Sequence, residues 1–212
     1  MTTISNTRNT TKQSKADVVL QAARTVFLSD GFSGATTDMI QKTAGVSKST
    51  VYSHYKNKEA LFIAVIEFEC KNYAQQIRAI KFNPGKLKET LITLANEFLN
   101  IVLSPTALSL HRIIIAEATR FSSLADTFFI EGPKMMISII SELLDDANKK
   151  QEIHLGDVTA DEAAKIFIHL LRSEPQLSNL MAPNNPPTQE SIDRWLTISV
   201  NTFLLAFGKD KT

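Results

Sequence analysis

The apolar residues of this 212-residue chain recur at helical spacing almost throughout, and its seven glycines and seven prolines fall mostly between the apolar segments. A period of 3.6 residues puts positions i, i+3, i+4 and i+7 on one side of a helix, so each segment has one face to bury. No run alternates apolar and polar residues with β-branched side chains, which is what a half-buried strand would need. The pattern therefore predicts an all-α chain of about nine helices.

The first, over residues 14–29, carries Val19, Ala23, Val26 and Phe27 on one stripe and stops at Asp30-Gly31. A short second helix opens at Thr36 or Thr37, which serves as N-cap, and ends before Gly45. The third spans residues 47–55 with Ser47 as its cap, and the fourth about 59–79. Pro84 is expected in the first turn of a fifth helix, where a missing N–H costs nothing, followed by Leu87, Leu91, Leu94 and Phe98. Pro105 opens the sixth, to about residue 121. The seventh, 124–149, is expected to kink or break at Gly132-Pro133. The eighth starts behind the cap Thr159 and is expected to end near Ser173. There SEPQLSNLMAPNNPP, with Pro175, Pro183, Pro186 and Pro187, reads as a connector. The ninth covers 188–207 and is apolar on more than one face.

Charge divides the chain. The net +1 hides a value of +4 for residues 1–60, where eight Lys/Arg face four Asp/Glu, and of −3 for the remainder. A basic end on a mildly acidic body suits a small module that meets a polyanion, carried by a larger domain with another task. Cys70 is the sole cysteine, which excludes an intramolecular disulfide and a Cys-based zinc cluster and points to a reducing, cytoplasmic compartment. The first fifteen residues lack the apolar stretch of a secretory signal, and no uncharged apolar run reaches bilayer length, so no membrane association is expected.

The segment TTDMIQKTAGVSKSTVYSHYKNKEALF, residues 36–62, meets the physical requirements of a helix-turn-helix over about 37–56. Gly45 supplies a residue tolerant of positive φ in the turn, and Val46 an apolar seal behind it. On the second helix of the motif Val51 and Tyr55, four apart, turn inward. That leaves Lys48, Ser49, Ser53 and Lys56 outward, a short polar cationic face suited to the hydrogen-bonding edges of bases in a major groove.

These residues resemble the tetracycline-repressor (TetR) type of bacterial transcriptional regulators. The resemblance rests on Thr37, on Ala44-Gly45-Val46-Ser47, on Lys48-Ser49-Thr50-Val51-Tyr52 and on Lys58-Glu59-Ala60-Leu61-Phe62. Gln41 departs from it, standing where the family usually has alanine. The resemblance implies a DNA-binding domain over residues 14–74, with Lys48, Ser49 and Thr50 facing bases of double-stranded operator DNA. Ser53 lies on the same face, and Thr37, Tyr52, His54 and Lys58 would hold phosphates. The segments LHRIIIAEATRFSSLADTFFIEGP (110–133) and DEAAKIFIHLLR (161–172) look like the AefR-like subgroup of C-terminal domains. That implies a helical ligand-binding and dimerisation domain over 75–209.

One helix-turn-helix reads few base pairs, so a symmetric dimer is expected, joined through the last two helices at about 160–173 and 188–207. Phe167 and Phe203 are expected at that interface. The very apolar sixth helix should be central, and its polar residues His111 and Arg112 then need partners in the domain or in a ligand. A hydrophobic effector cavity between the fourth and seventh helices is expected. Phe62, Ile66, Phe98, Ile115, Phe128, Phe129 and Met136 would form its wall, and His111 or Arg112 would orient one polar end of an apolar or amphipathic small molecule. A ligand shifting the fourth helix would change the spacing of two recognition helices in a dimer and release the operator.

Arg8, Lys12 and Lys15 read as a tail rather than a minor-groove arm, and Cys70 as a small buried hydrophobe. His111, His154 and His169 form no HExxH or paired ExxH pattern, so neither a metal nor a cofactor is expected. The alternative class, a helical-bundle enzyme with an incidental helix-turn-helix-like turn, lacks GxSxG, P-loop and GxGxxG motifs.

Overall fold

The computed structural model describes residues 14–209, and the expectations for Arg8 and Lys12 lie outside them. The described residues form α1 (Lys15–Gly34), α2 (Thr37–Ala44), α3 (Lys48–His54), α4 (Lys58–Arg78), α5 (Leu87–Val102), α6 (Pro105–Glu117), α7 (Ser122–Phe129), a π turn (Ile130–Lys134), α8 (Met135–Lys149), α9 (Ala160–Met181) and α10 (Gln189–Phe207). With α7 and α8 taken as one element joined by the π turn, nine helical elements result. The only extended pairing among these residues is an isolated bridge between Ile153 and Gly208. No single helix among them is long and apolar enough to cross a membrane.

Local chemistry places the helix starts. Ser14 and Asp17 form a capping box at α1, and Thr159 and Glu162 form another at α9. Thr36, Ser47, Ser104 and Thr188 each accept a backbone N–H at the head of α2, α3, α6 and α10. Gly31 breaks the helical path of α1 with φ 72° and ψ 175°, where sequence reading stops the helix; three further residues stay helical beyond it.

The chain divides into two compact units, residues 1–65 and 66–212, the boundary lying inside α4. In the first, Val19, Ala23, Val26, Phe27, Ile40, Val51, Leu61 and Phe62 are buried. Phe62 meets the rings of Phe27 at 4.8 Å and Phe32 at 5.2 Å. In the second, α9 packs on α8, α10, α5 and α6. Phe167 and Phe203 sit edge to face 5.0 Å apart in its core, both fully buried. Their expected place at a dimer surface is thereby corrected: the apolar faces of α9 and α10 that hold them are spent on each other.

Three boundaries differ from expectation. Pro84 lies in the turn before α5, which starts at Leu87. Gly132-Pro133 neither breaks the helix nor kinks it to a stop; one wider π turn absorbs the proline's missing donor and α8 follows directly. Most consequentially, α9 does not end near Ser173 but runs through Pro175 to Met181. Neighbouring helices bond to carbonyls on either side of the proline: Trp195 Nε1 and Ser199 Oγ both donate to the Leu170 carbonyl, at 2.9 and 3.0 Å, and Arg112 Nη2 donates to that of Asn179 at 2.7 Å. The connector shrinks to 182–188.

Candidate DNA-reading helix and ligand cavity

In the first unit, α2 ends in a Schellman pair: Gly45, at φ 66° and ψ 31°, donates to the Lys42 carbonyl at 3.3 Å, and Val46 donates to that of Gln41 at 3.1 Å. This turn aims α3. Val51 is buried on its inner side, while Lys48, Ser49, Tyr52, Ser53 and His54 are exposed and Thr50 and Thr37 half-exposed. Tyr55, expected inward, is half-buried with its hydroxyl 3.5 Å from the Ala16 carbonyl.

The polar side chains of α3 are held by short contacts. The Ser47 hydroxyl accepts from the Thr50 N–H and lies 2.8 Å from the hydroxyls of Ser49 and Thr50. Ser53 Oγ donates to the Thr50 carbonyl. Tyr52 Oη and Thr37 Oγ1 are 3.4 Å apart, joining two residues expected on phosphates. Lys48 Nζ pairs with Asp38 Oδ1 at 2.9 Å, which holds the ammonium above the usual lysine range. Asp38 escaped sequence reading, since nothing in its own helix marks it as a partner of α3. Lys58 is turned toward its own unit: Nζ donates to the carbonyls of Phe32 at 2.8 Å and Ala35 at 3.0 Å and lies 4.5 Å above the Phe32 ring. It thus serves the last carbonyls of α1, with one of its three N–H groups left over.

In the second unit, α4 to α9 enclose a largely apolar cavity of about 600 Å³. Of the residues expected there, Phe98, His111, Ile115, Phe128, Phe129 and Met136 line it. Phe62, Ile66 and Arg112 do not, and their expected place on its wall is corrected. Phe62 and Ile66 are fully buried, Phe62 against the Phe27 and Phe32 rings. Arg112 is committed to the Asn179 carbonyl. His111 lies edge-on to Phe128, ring centroids 5.7 Å apart. Burial, and then the Arg172 charge, hold its imidazole below the usual histidine range, so it is uncharged at neutral pH. Burial alone also lowers the Arg172 guanidinium. The thiol of Cys70, buried at the cavity wall, is pushed up to about 12 by burial, with Glu131 and Glu69 adding to it, and is therefore an unreactive hydrophobe.

Arg172 and Gln176, which sequence reading missed, line the cavity together with His169. Their spacing of three and four residues carries the signal, since it sets all three on one helical face. Ending the helix at Ser173 removed the last of them from view.

A short helix-turn-helix with an uncovered polar second helix, followed by a helical unit that encloses an apolar cavity, defines a DNA-binding regulator with a separate sensing domain. Residues 19–65 match the profile of bacterial regulatory proteins of the tetR family, and residues 89–209 that of the C-terminal domain of AefR-like transcriptional repressors. The chain belongs to the TetR family and is a transcriptional regulator of that family. It is similar to the transcriptional regulator UidR of Escherichia coli, 29% identical over 157 residues that cover 72% of this chain and 75% of UidR. The repressor AcnR of Corynebacterium diphtheriae matches over 69 residues at 29% identity, so this chain spans only 36% of its length. Among solved structures, a TetR-family protein from Mesorhizobium loti superposes with TM-score 0.84 at 26% identity, covering 92% of this chain and 96% of that one. The Flavonoid-responsive Regulator FrrA superposes with TM-score 0.77 at 31% identity, covering 92% and 97%.

Proposed function

We propose that this regulator is a cytoplasmic, non-enzymatic homodimer that represses from a palindromic operator and is released by a small, largely apolar effector bound in the second unit. The observation that carries the effector half is the cavity of about 600 Å³, which falls in the size range of drug-like ligands and offers few polar groups on an apolar wall. The description of FrrA as flavonoid-responsive supports a small-molecule effector. Lys48, Ser49, Thr50 and Ser53 read bases, while Thr37, Tyr52 and His54 hold phosphates together with the third N–H of Lys58. A ligand that favours one position of α4 over another shifts the dimer's spacing by no more than its difference in affinity for the two states.

The two classes of contact separate experimentally, because base contacts carry sequence information and phosphate contacts do not. An operator is first selected from random duplexes, and binding is then measured at several salt concentrations. Lys48→Ala and Ser49→Ala should change the preferred sequence. Tyr52→Phe should weaken specific and non-specific binding alike. Unchanged sequence preference in both of the first two variants overturns the assignment of the base-reading face.

A further inference from the structure

The apolar cavity contains one cation that the protein does not neutralise. Arg172 lines it on α9 and is half-buried, yet among the described residues no carboxylate lies within ion-pair distance and no hydrogen bond engages its guanidinium. A buried guanidinium has five donors and an undiminished charge, and it is ordinarily met by a carboxylate or phosphate in a planar two-point contact. No fully buried side-chain nitrogen or oxygen is left unpartnered, so the Arg172 nitrogens, which make no hydrogen bond, stay open to solvent or to a ligand in the cavity they line. The cavity's own carboxylates, Asp126 and Glu131, form no ion pair with Arg172. Gln176, buried one turn further along α9, and the uncharged imidazole of His111 add neutral hydrogen-bonding groups.

Resting on the reading of this cavity as the effector site, we propose that the effector is an amphipathic organic anion. Its acidic head pairs with Arg172, and its apolar body lies along Phe98, Phe128 and Met136. The complementary charge has to come from the ligand, because the protein does not supply it.

Two fluorescent probes with the same aromatic body test this: 1-anilinonaphthalene-8-sulfonate, an anion, and N-phenyl-1-naphthylamine, its neutral counterpart. Both are titrated into the full-length wild type and into Arg172→Gln, Arg172→Lys and Phe98→Trp. The wild type should bind the sulfonate at least tenfold more tightly than the amine. Arg172→Gln should abolish that difference while binding the neutral amine within about twofold of wild type, and Arg172→Lys should retain part of it. Phe98→Trp, which intrudes where the apolar body would lie, should weaken the binding of both probes. Equal wild-type affinities, or an unchanged preference in Arg172→Gln, overturn the anionic head but leave the cavity as an apolar site. Loss of the neutral probe in Arg172→Gln makes the arginine a structural group and overturns the proposal as well. If Phe98→Trp binds both probes like wild type, or if wild type binds neither, the effector-site reading itself fails and the anion with it.

Discussion

Removing the Lys58 ammonium should be felt in folding before it is felt on DNA, because its two carbonyl partners, on Phe32 and Ala35, lie inside its own unit. Hydrogen bonds from a charged donor contribute about 1.5–3 kcal/mol. Lys58→Met, which keeps the apolar stem, should therefore lower the Tm by several degrees, whereas Lys48→Ala, losing only an exposed pair with Asp38, should leave it nearly unchanged. Thermal unfolding followed by circular dichroism decides, and equal Tm values for Lys58→Met and wild type would show the two carbonyls to be indifferent to the charge. The contrast also marks the limit of reading at this scale. Caps such as Ser47 and Thr159 were legible because donor and acceptor stand three residues apart. The partners of Lys58 stand 26 and 23 residues away, and only the path of the chain brings them together.

Among elements, α9 is the one that local rules misplace. Proline in a helix interior leaves the carbonyl four residues back without its donor and costs about 3 kcal/mol, so stopping near Ser173 is the better local solution. The carbonyl that Pro175 orphans is that of Leu171; α9 continues past it with Pro175 and Gln176 buried, and with α10 and α6 bonded to the flanking carbonyls of Leu170 and Asn179 through Trp195, Ser199 and Arg112. If the first two satisfy the Leu170 carbonyl jointly, their losses should not add. Trp195→Phe and Ser199→Ala should each cost less than the double variant requires, with a coupling of about 0.5–3 kcal/mol. Strict additivity in a urea-denaturation cycle would mean that the carbonyl has another partner. Element type and order were otherwise legible throughout, since apolar periodicity and caps are local signals. The π turn at 130–134 was foreseen only as a disturbance.

At the scale of the whole molecule, α9 and α10 leave apolar surface uncovered, and the proposed dimer is expected to bury it. Leu177, Met181 and Leu205 are 60%, 78% and 80% exposed, and Ile166 and Ile198 lie open on the same two helices. For the proposed dimer, sequence reading named side chains that face inward, because periodicity tells that a helix is apolar all round without telling which face meets its own chain. Phe167 and Phe203 face inward, so replacing them would unfold the unit rather than divide a dimer. Leu177→Glu combined with Leu205→Glu should give a monomer of undiminished helicity that no longer binds a two-half-site operator. A variant that remains dimeric by light scattering at micromolar concentration removes these faces from the interface.

The cavity has its rim in water: Ile115 and Phe129, both among its lining residues, are 62% and 60% exposed. A ligand arriving there meets an apolar threshold instead of a closed shell, so capture needs no prior rearrangement and its rate should rise in proportion to ligand concentration. Once the apolar body has passed the rim, leaving requires that all of its surface be rehydrated. The memory of a signal in such a sensor is then kept by the escape step, which the bulk of the apolar tail and the pairing of the proposed acidic head with Arg172 would both slow.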